Sequence, residues 1–101
     1  MKAIIERNYE SVVKRGLITP DTTMEDFINK ISEEYNEILQ CDILPKSKEK
    51  RDCQKEEIVD VILTCLNTLR HFENTENVVS LLENKIKINY ERSELSRVPE
   101  K

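Results

Sequence analysis

Chain breakers are almost missing from this sequence, and where they occur they fall in the gaps of its apolar pattern. Gly16 is the only glycine, and Pro20, Pro45 and Pro99 lie between or beyond the stretches in which apolar residues recur. That the chain has so few glycines argues against the tight hairpins of a small β-barrel or sandwich and favours helices. With 5% aromatic residues and no tryptophan it also lacks the aromatic strand faces such folds use. Helices remain, and 101 residues give room for one helical domain around one core.

The periodicity predicts a first helix from Lys2 to about Lys14, with Ile5, Tyr9, Val12 and Val13 at helical spacing and Gly16 where a helix usually stops. Ile18-Thr19-Pro20-Asp21 interrupts the pattern. Thr22-Thr23-Met24-Glu25 then reads as a capping box, a threonine hydroxyl with a glutamate three residues later, opening a second helix from about Thr23 to Gln40. From Cys41 to Asp52 the periodicity lapses, and Pro45 with the lysine-rich 46–51 stretch reads as an exposed loop. A third helix, about Gln54 to His71, carries Ile58, Val59, Val61, Ile62, Leu63, Cys65, Leu66 and Leu69. At ~100° per residue these cover roughly 200° of its circumference, so this helix is expected to be central or covered by a second subunit. A fourth helix starts near Glu76 with Val79, Leu82 and Ile86 along one stripe. The expected organisation is an all-α domain over residues 1–95 and a polar tail, 96–101.

A net charge of −4 and a pI near 5.1 argue against nucleic-acid binding through a broad basic face, because such binding rests on neutralising phosphates. Cys41, Cys53 and Cys65 form no CxxC pair and are odd in number, which predicts reduced thiols rather than a zinc ribbon or a disulfide framework. No apolar run nears the ~18 residues that span a bilayer, and the N-terminus lacks the apolar core of a signal peptide. The expectation is a cytoplasmic protein with no membrane partner.

The chemistry-bearing residues are acids. Glu34 and Glu37 lie three apart on the second helix and are therefore neighbours on one face. With Phe27 as zero, the apolar stripe spans ~0° to 120°, and Glu34 falls at about −20°, at its edge. Glu33 is one step further out. On the third helix Glu57 borders the apolar arc and Asp60 sits about 60° further round. An EExxE stretch alone is also what the solvated face of a charge-rich helix looks like. Two consecutive helices with such pairs at an apolar border say more: packed antiparallel, they bring four carboxylates together, and a cation would remove the repulsion.

Oxygen ligands select a hard ion, magnesium or manganese, over zinc or copper. The Glu-x-x-His motif of di-iron bundles is missing, since His71 follows Thr68 at that spacing. His71, near a helix C-terminus, is expected to be an exposed cap or a partner for the helix dipole. Neither a phosphate-binding P-loop nor a Rossmann fingerprint is present.

EExxE (Glu33, Glu34, Glu37) followed by ExxD (Glu57, Asp60) resembles the signature of the MazG-like all-alpha nucleoside triphosphate pyrophosphohydrolases. The resemblance covers roughly Asp21 to Arg92. In the fourth helix Lys85, Asn89 and Arg92 look like the K-x-x-x-N-x-x-R pattern common in that family, three residues on one face that could reach phosphate oxygens together. The resemblance implies a four-helix bundle, a homodimer or homotetramer, that hydrolyses a nucleoside triphosphate to the monophosphate and pyrophosphate with Mg2+, or Mn2+. It also implies Glu34, Glu37, Glu57 and Asp60 as metal ligands, Glu33 as the residue that orients or deprotonates water, and Lys85, Asn89 and Arg92 as phosphate contacts. Two alternatives stand beside it: an enzyme like phosphoribosyl-ATP pyrophosphohydrolase, and a non-catalytic helical adaptor whose acids are a solvated face.

Overall fold

Gly16 closes the first helix, α1 (Lys2–Lys14), in the manner its missing side chain allows. Its φ of +74° lies in the left-handed region, its N–H donates to Val13 O at 2.9 Å, and Leu17 N–H donates to Val12 O at 3.2 Å. These two bonds form a Schellman cap. The computed structural model describes residues 1–44 and 47–96. The predicted breakers Pro45 and Pro99 lie outside the described residues, as does the expected tail apart from Ser96.

The second helix, α2 (Met24–Gln40), opens one residue later than expected. Thr22 is not the cap; its Oγ1 accepts from Thr19 N–H at 2.9 Å. Thr23 takes the role: its Oγ1 accepts from Asp26 N–H at 3.1 Å, and the Asp26 carboxylate accepts from Thr23 N–H at 2.9 Å. The capping box is therefore Thr23 with Asp26, not a threonine with Glu25. A 3-10 turn, Cys41–Ile43, follows.

The third helix, α3, spans Ser47–Phe72 and starts well before the expected Gln54. The lysine-rich stretch read as loop is helical from Ser47 on. Lys, Glu, Arg and Gln are strong helix formers, and intrinsic propensity carries this first part where no apolar stripe exists. The fourth helix, α4, spans Thr75–Ser96. The described chain is all-α, with no strand among the described residues.

Ile5, Leu66 and Val78 form the buried core, with Leu69, Val79 and Leu82 packed on it. Each such side chain removed from water contributes roughly 1.5–3 kcal/mol. α3 is the central element, in contact with α1, α2 and α4, while α2 and α4 do not meet within one chain. The expected α4 stripe ends at Leu82, since Ile86 is 67% exposed. The radius of gyration, 17.1 Å, exceeds the ~13 Å of a compact domain this size. Ile58, Val59 and Ile62 on α3 also remain exposed.

Phe27 meets His71, and Cys41 meets Cys53, so α2 and α3 run antiparallel. This pairing overturns two expectations. Cys41 and Cys53 form a disulfide with Cα atoms 5.8 Å apart, leaving Cys65 as the free thiol, its titration pushed up by burial. The hairpin of α2 and α3 brings together cysteines that sequence spacing left unpaired. His71 is not an exposed cap. Its Nε2–H donates to Thr22 O at 3.0 Å, its Nδ1 accepts from Tyr9 OH at 2.8 Å, and its ring packs between Phe27 and Phe72 at centroid distances of 5.0 and 4.9 Å.

Candidate metal centre

Antiparallel packing turns two helical spacings into one cluster. Glu34 and Glu37 project from successive turns of α2, Glu57 projects from α3, and one carboxylate oxygen from each lies within 4.8 Å of the others. Glu34 is buried, whereas Glu37 and Glu57 are half-buried. Lys30 Nζ, 3.3 Å from Glu34 and 3.9 Å from Glu33, answers part of this charge from one side. The described ion pairs include none to Glu37 or Glu57.

Glu57 bears the strain of the arrangement. Burial of its carboxyl, then the nearby charges of Glu37, Asp60 and Glu34, raise its titration above the ordinary glutamate value, and a carboxyl–carboxyl contact with Glu37 adds to the rise. Its Oε2 is buried with no hydrogen-bond partner among the described residues. A buried acceptor without a donor, amid like charges, is the environment a cation satisfies. With only carboxylate oxygens on offer, the donor set fits a hard divalent ion.

Asp60 does not join the three. It acts on Glu57 through its charge but is exposed, and it lines the neighbouring cleft instead. That cleft, about 530 Å³, lies between α1, the segment after Gly16, α2 and α3. Glu33, Glu34 and Asp60 form its acidic end, and Val12, Ile18, Phe27 and Leu63 supply apolar wall. Compared with known protein families, with curated proteins and with solved structures, the chain gives no match.

One polar pair in the cleft was missed in the sequence. Asn8 Nδ2 donates to the Oδ1 of buried Asn67 at 2.8 Å and to Leu63 O at 2.9 Å. The available signal was positional: Asn8 shares the α1 face of Ile5 and Val12, a polar residue among inward-facing ones. Lys85, Asn89 and Arg92 are exposed on α4 and line neither the cleft nor the acid cluster within one chain.

Proposed function

We propose that the protein is a magnesium-dependent nucleoside triphosphate pyrophosphohydrolase that cleaves an NTP or dNTP to the monophosphate and pyrophosphate. The observation that carries this reading is the convergence of Glu34, Glu37 and Glu57 beside a cleft large enough for a nucleoside, whose wall Glu34 shares. The orphaned oxygen of Glu57 supports a cation there, and the EExxE and ExxD resemblance supplies the reaction class.

Glu34, Glu37 and Glu57 would hold Mg2+ or Mn2+, with Asp60 at the border between cluster and cleft. The ion supplies positive charge for the phosphate oxygens and for charge developing at the scissile bond. Glu33, exposed at the cleft's acidic end, is placed to orient or deprotonate the attacking water. Phe27 and Ile18 offer apolar surface to a base, and the Asn8 and Asn67 amides offer hydrogen bonds.

The exposed apolar residues of α3 and α4 favour a homodimer or homotetramer in which a second copy completes the four-helix bundle. Lys85, Asn89 and Arg92 would then approach phosphates held by a neighbouring chain. We assign the enzyme to the cytoplasm; the Cys41–Cys53 bond is then one that forms and breaks there. No described helix is long and apolar enough to cross a membrane.

The test is a panel of NTPs and dNTPs incubated with Mg2+ and resolved for product. Monophosphate and pyrophosphate in equal amounts, abolished by chelation, is the expected outcome. Release of orthophosphate, or no turnover of any nucleotide, overturns the reading.

A further inference from the structure

We propose that the Cys41–Cys53 disulfide is a redox-operated clamp on the acid cluster, so that the oxidised chain holds a divalent cation more tightly than the reduced chain. The inference rests on the metal reading of Glu34, Glu37 and Glu57 and adds to it a control that those residues do not contain.

The placement carries the proposal. Cys41 caps α2 four residues after Glu37, and Cys53 precedes Glu57 by four on α3, so each cysteine lies about one helical turn from a clustered carboxylate. The bond thus joins α2 to α3 directly beside the pair Glu37 and Glu57. A recess of about 240 Å³ lined by Glu37, Cys41, Cys53 and Glu57 connects the two features. Only 12 positions separate the cysteines, and the short connection already keeps these helix ends near each other. What the covalent bond adds is a fixed separation, 5.8 Å between Cα atoms, where like charges push the helices apart.

In the oxidised chain the carboxylates are held together before a cation arrives, and little of the binding energy goes into reassembling them. In the reduced chain that end can relax outward, and the cation must draw it back. The reductant is a dithiol. Its thiolate attacks the disulfide, the Sγ–Sγ bond breaks through a mixed disulfide, and the dithiol leaves as its own disulfide. Two electrons and two protons pass to the protein, leaving Cys41 and Cys53 as thiols. Cys41 is 1% exposed, so the approach is from the half-buried Cys53 side. Once reduced, the Cys41 S–H has Glu37 O 3.6 Å away as acceptor and keeps a place in the fold. Coupling is reciprocal: a bound cation must favour the disulfide by the factor by which the disulfide favours the cation.

The experiment titrates Mn2+ into the full chain in three forms, following free Mn2+ by electron paramagnetic resonance: air-oxidised, reduced with a dithiol that is then removed anaerobically, and the Cys41→Ser/Cys53→Ser variant. Oxidised protein is expected to bind at least about fivefold more tightly than reduced protein, within the usual range of coupling between sites. The double variant should match the reduced form with or without reductant. Equal affinity of oxidised and reduced wild-type chains overturns the clamp and leaves the metal reading standing. If no form binds Mn2+ and Glu57→Gln changes nothing, the metal reading falls and the clamp falls with it. Reduced wild-type protein carries the comparison should the double variant fold poorly.

Discussion

Arg70 Nε donates to Glu6 Oε1 at 2.6 Å, and the hydroxyl of Thr75, the first residue of α4, donates to the same oxygen. One carboxylate on α1 therefore ties together α3 and the start of α4. The hydrogen bond from Arg70, then that from Thr75, hold its carboxyl below the ordinary glutamate value of 4.5. A group whose folded value is lowered contributes stability above its unfolded value and loses it as pH falls through the folded one. Urea unfolding below neutrality should show this loss below about pH 4.5, and Glu6→Gln should remove its share of the pH dependence.

Glu57 has the opposite sign. Burial and neighbouring acids raise its titration, so its contribution is present in acid and is lost as pH rises through its folded value. Glu57→Gln should therefore make the metal-free chain more stable at neutral pH, while pyrophosphate release falls by about tenfold or more for want of a charged ligand. Chemical denaturation in chelator and a turnover assay separate the two effects. A variant that is no more stable at neutral pH and retains full turnover rules out the assignment.

Gly16→Ala isolates the helix stop. Nothing lies within 4 Å of where the new Cβ would sit, so the expected loss comes from a φ of +74° alone. That loss is about 1–2 kcal/mol. It should appear as a fall in Tm of roughly 4–8 °C per kcal/mol in a domain this small. An unchanged Tm would mean that the backbone after α1 relaxes freely.

Arg92→Ala and Lys85→Ala test α4. If these side chains reach phosphates across a subunit boundary, each should lower kcat/KM by about tenfold, the worth of a charge-assisted hydrogen bond, and leave Mn2+ binding untouched. Light scattering at micromolar concentration should give a multiple of 11.9 kDa. A monomeric enzyme with full activity in both variants would confine α4 to packing.

The helices were legible in the sequence where an apolar stripe meets a breaker. α1 begins at Lys2 and ends at Lys14, where Gly16 takes the left-handed φ of +74° that closes a helix. α3 begins early because a charged, stripe-free segment leaves no periodic trace, even though its residues favour helix. The meeting of Glu34, Glu37 and Glu57 was readable from their faces plus one assumption of antiparallel packing. Asp60 falls outside the three although it follows Glu57 by the same step that separates Glu34 from Glu37, so spacing along one helix did not decide which acids meet. The disulfide and the Asn8–Asn67 pair were not readable, since both depend on register between helices, which no single helix encodes. The expected role of Lys85, Asn89 and Arg92 depends on what α4 meets, and within one chain α4 does not touch α2.

α3 carries Glu57 in its first half and Leu66 nine positions on, about 14 Å along the same rod at ~1.5 Å per residue. The acid cluster and the core are thus parts of a single cooperative unit. In the disulfide-bonded chain, amide protons of α3 should exchange only through whole-chain opening, from the turn holding Glu57 to the turn holding Leu66. Heating the oxidised chain then has no stage at which a loosened core keeps the acids assembled, and loss of cation binding and melting should follow one curve.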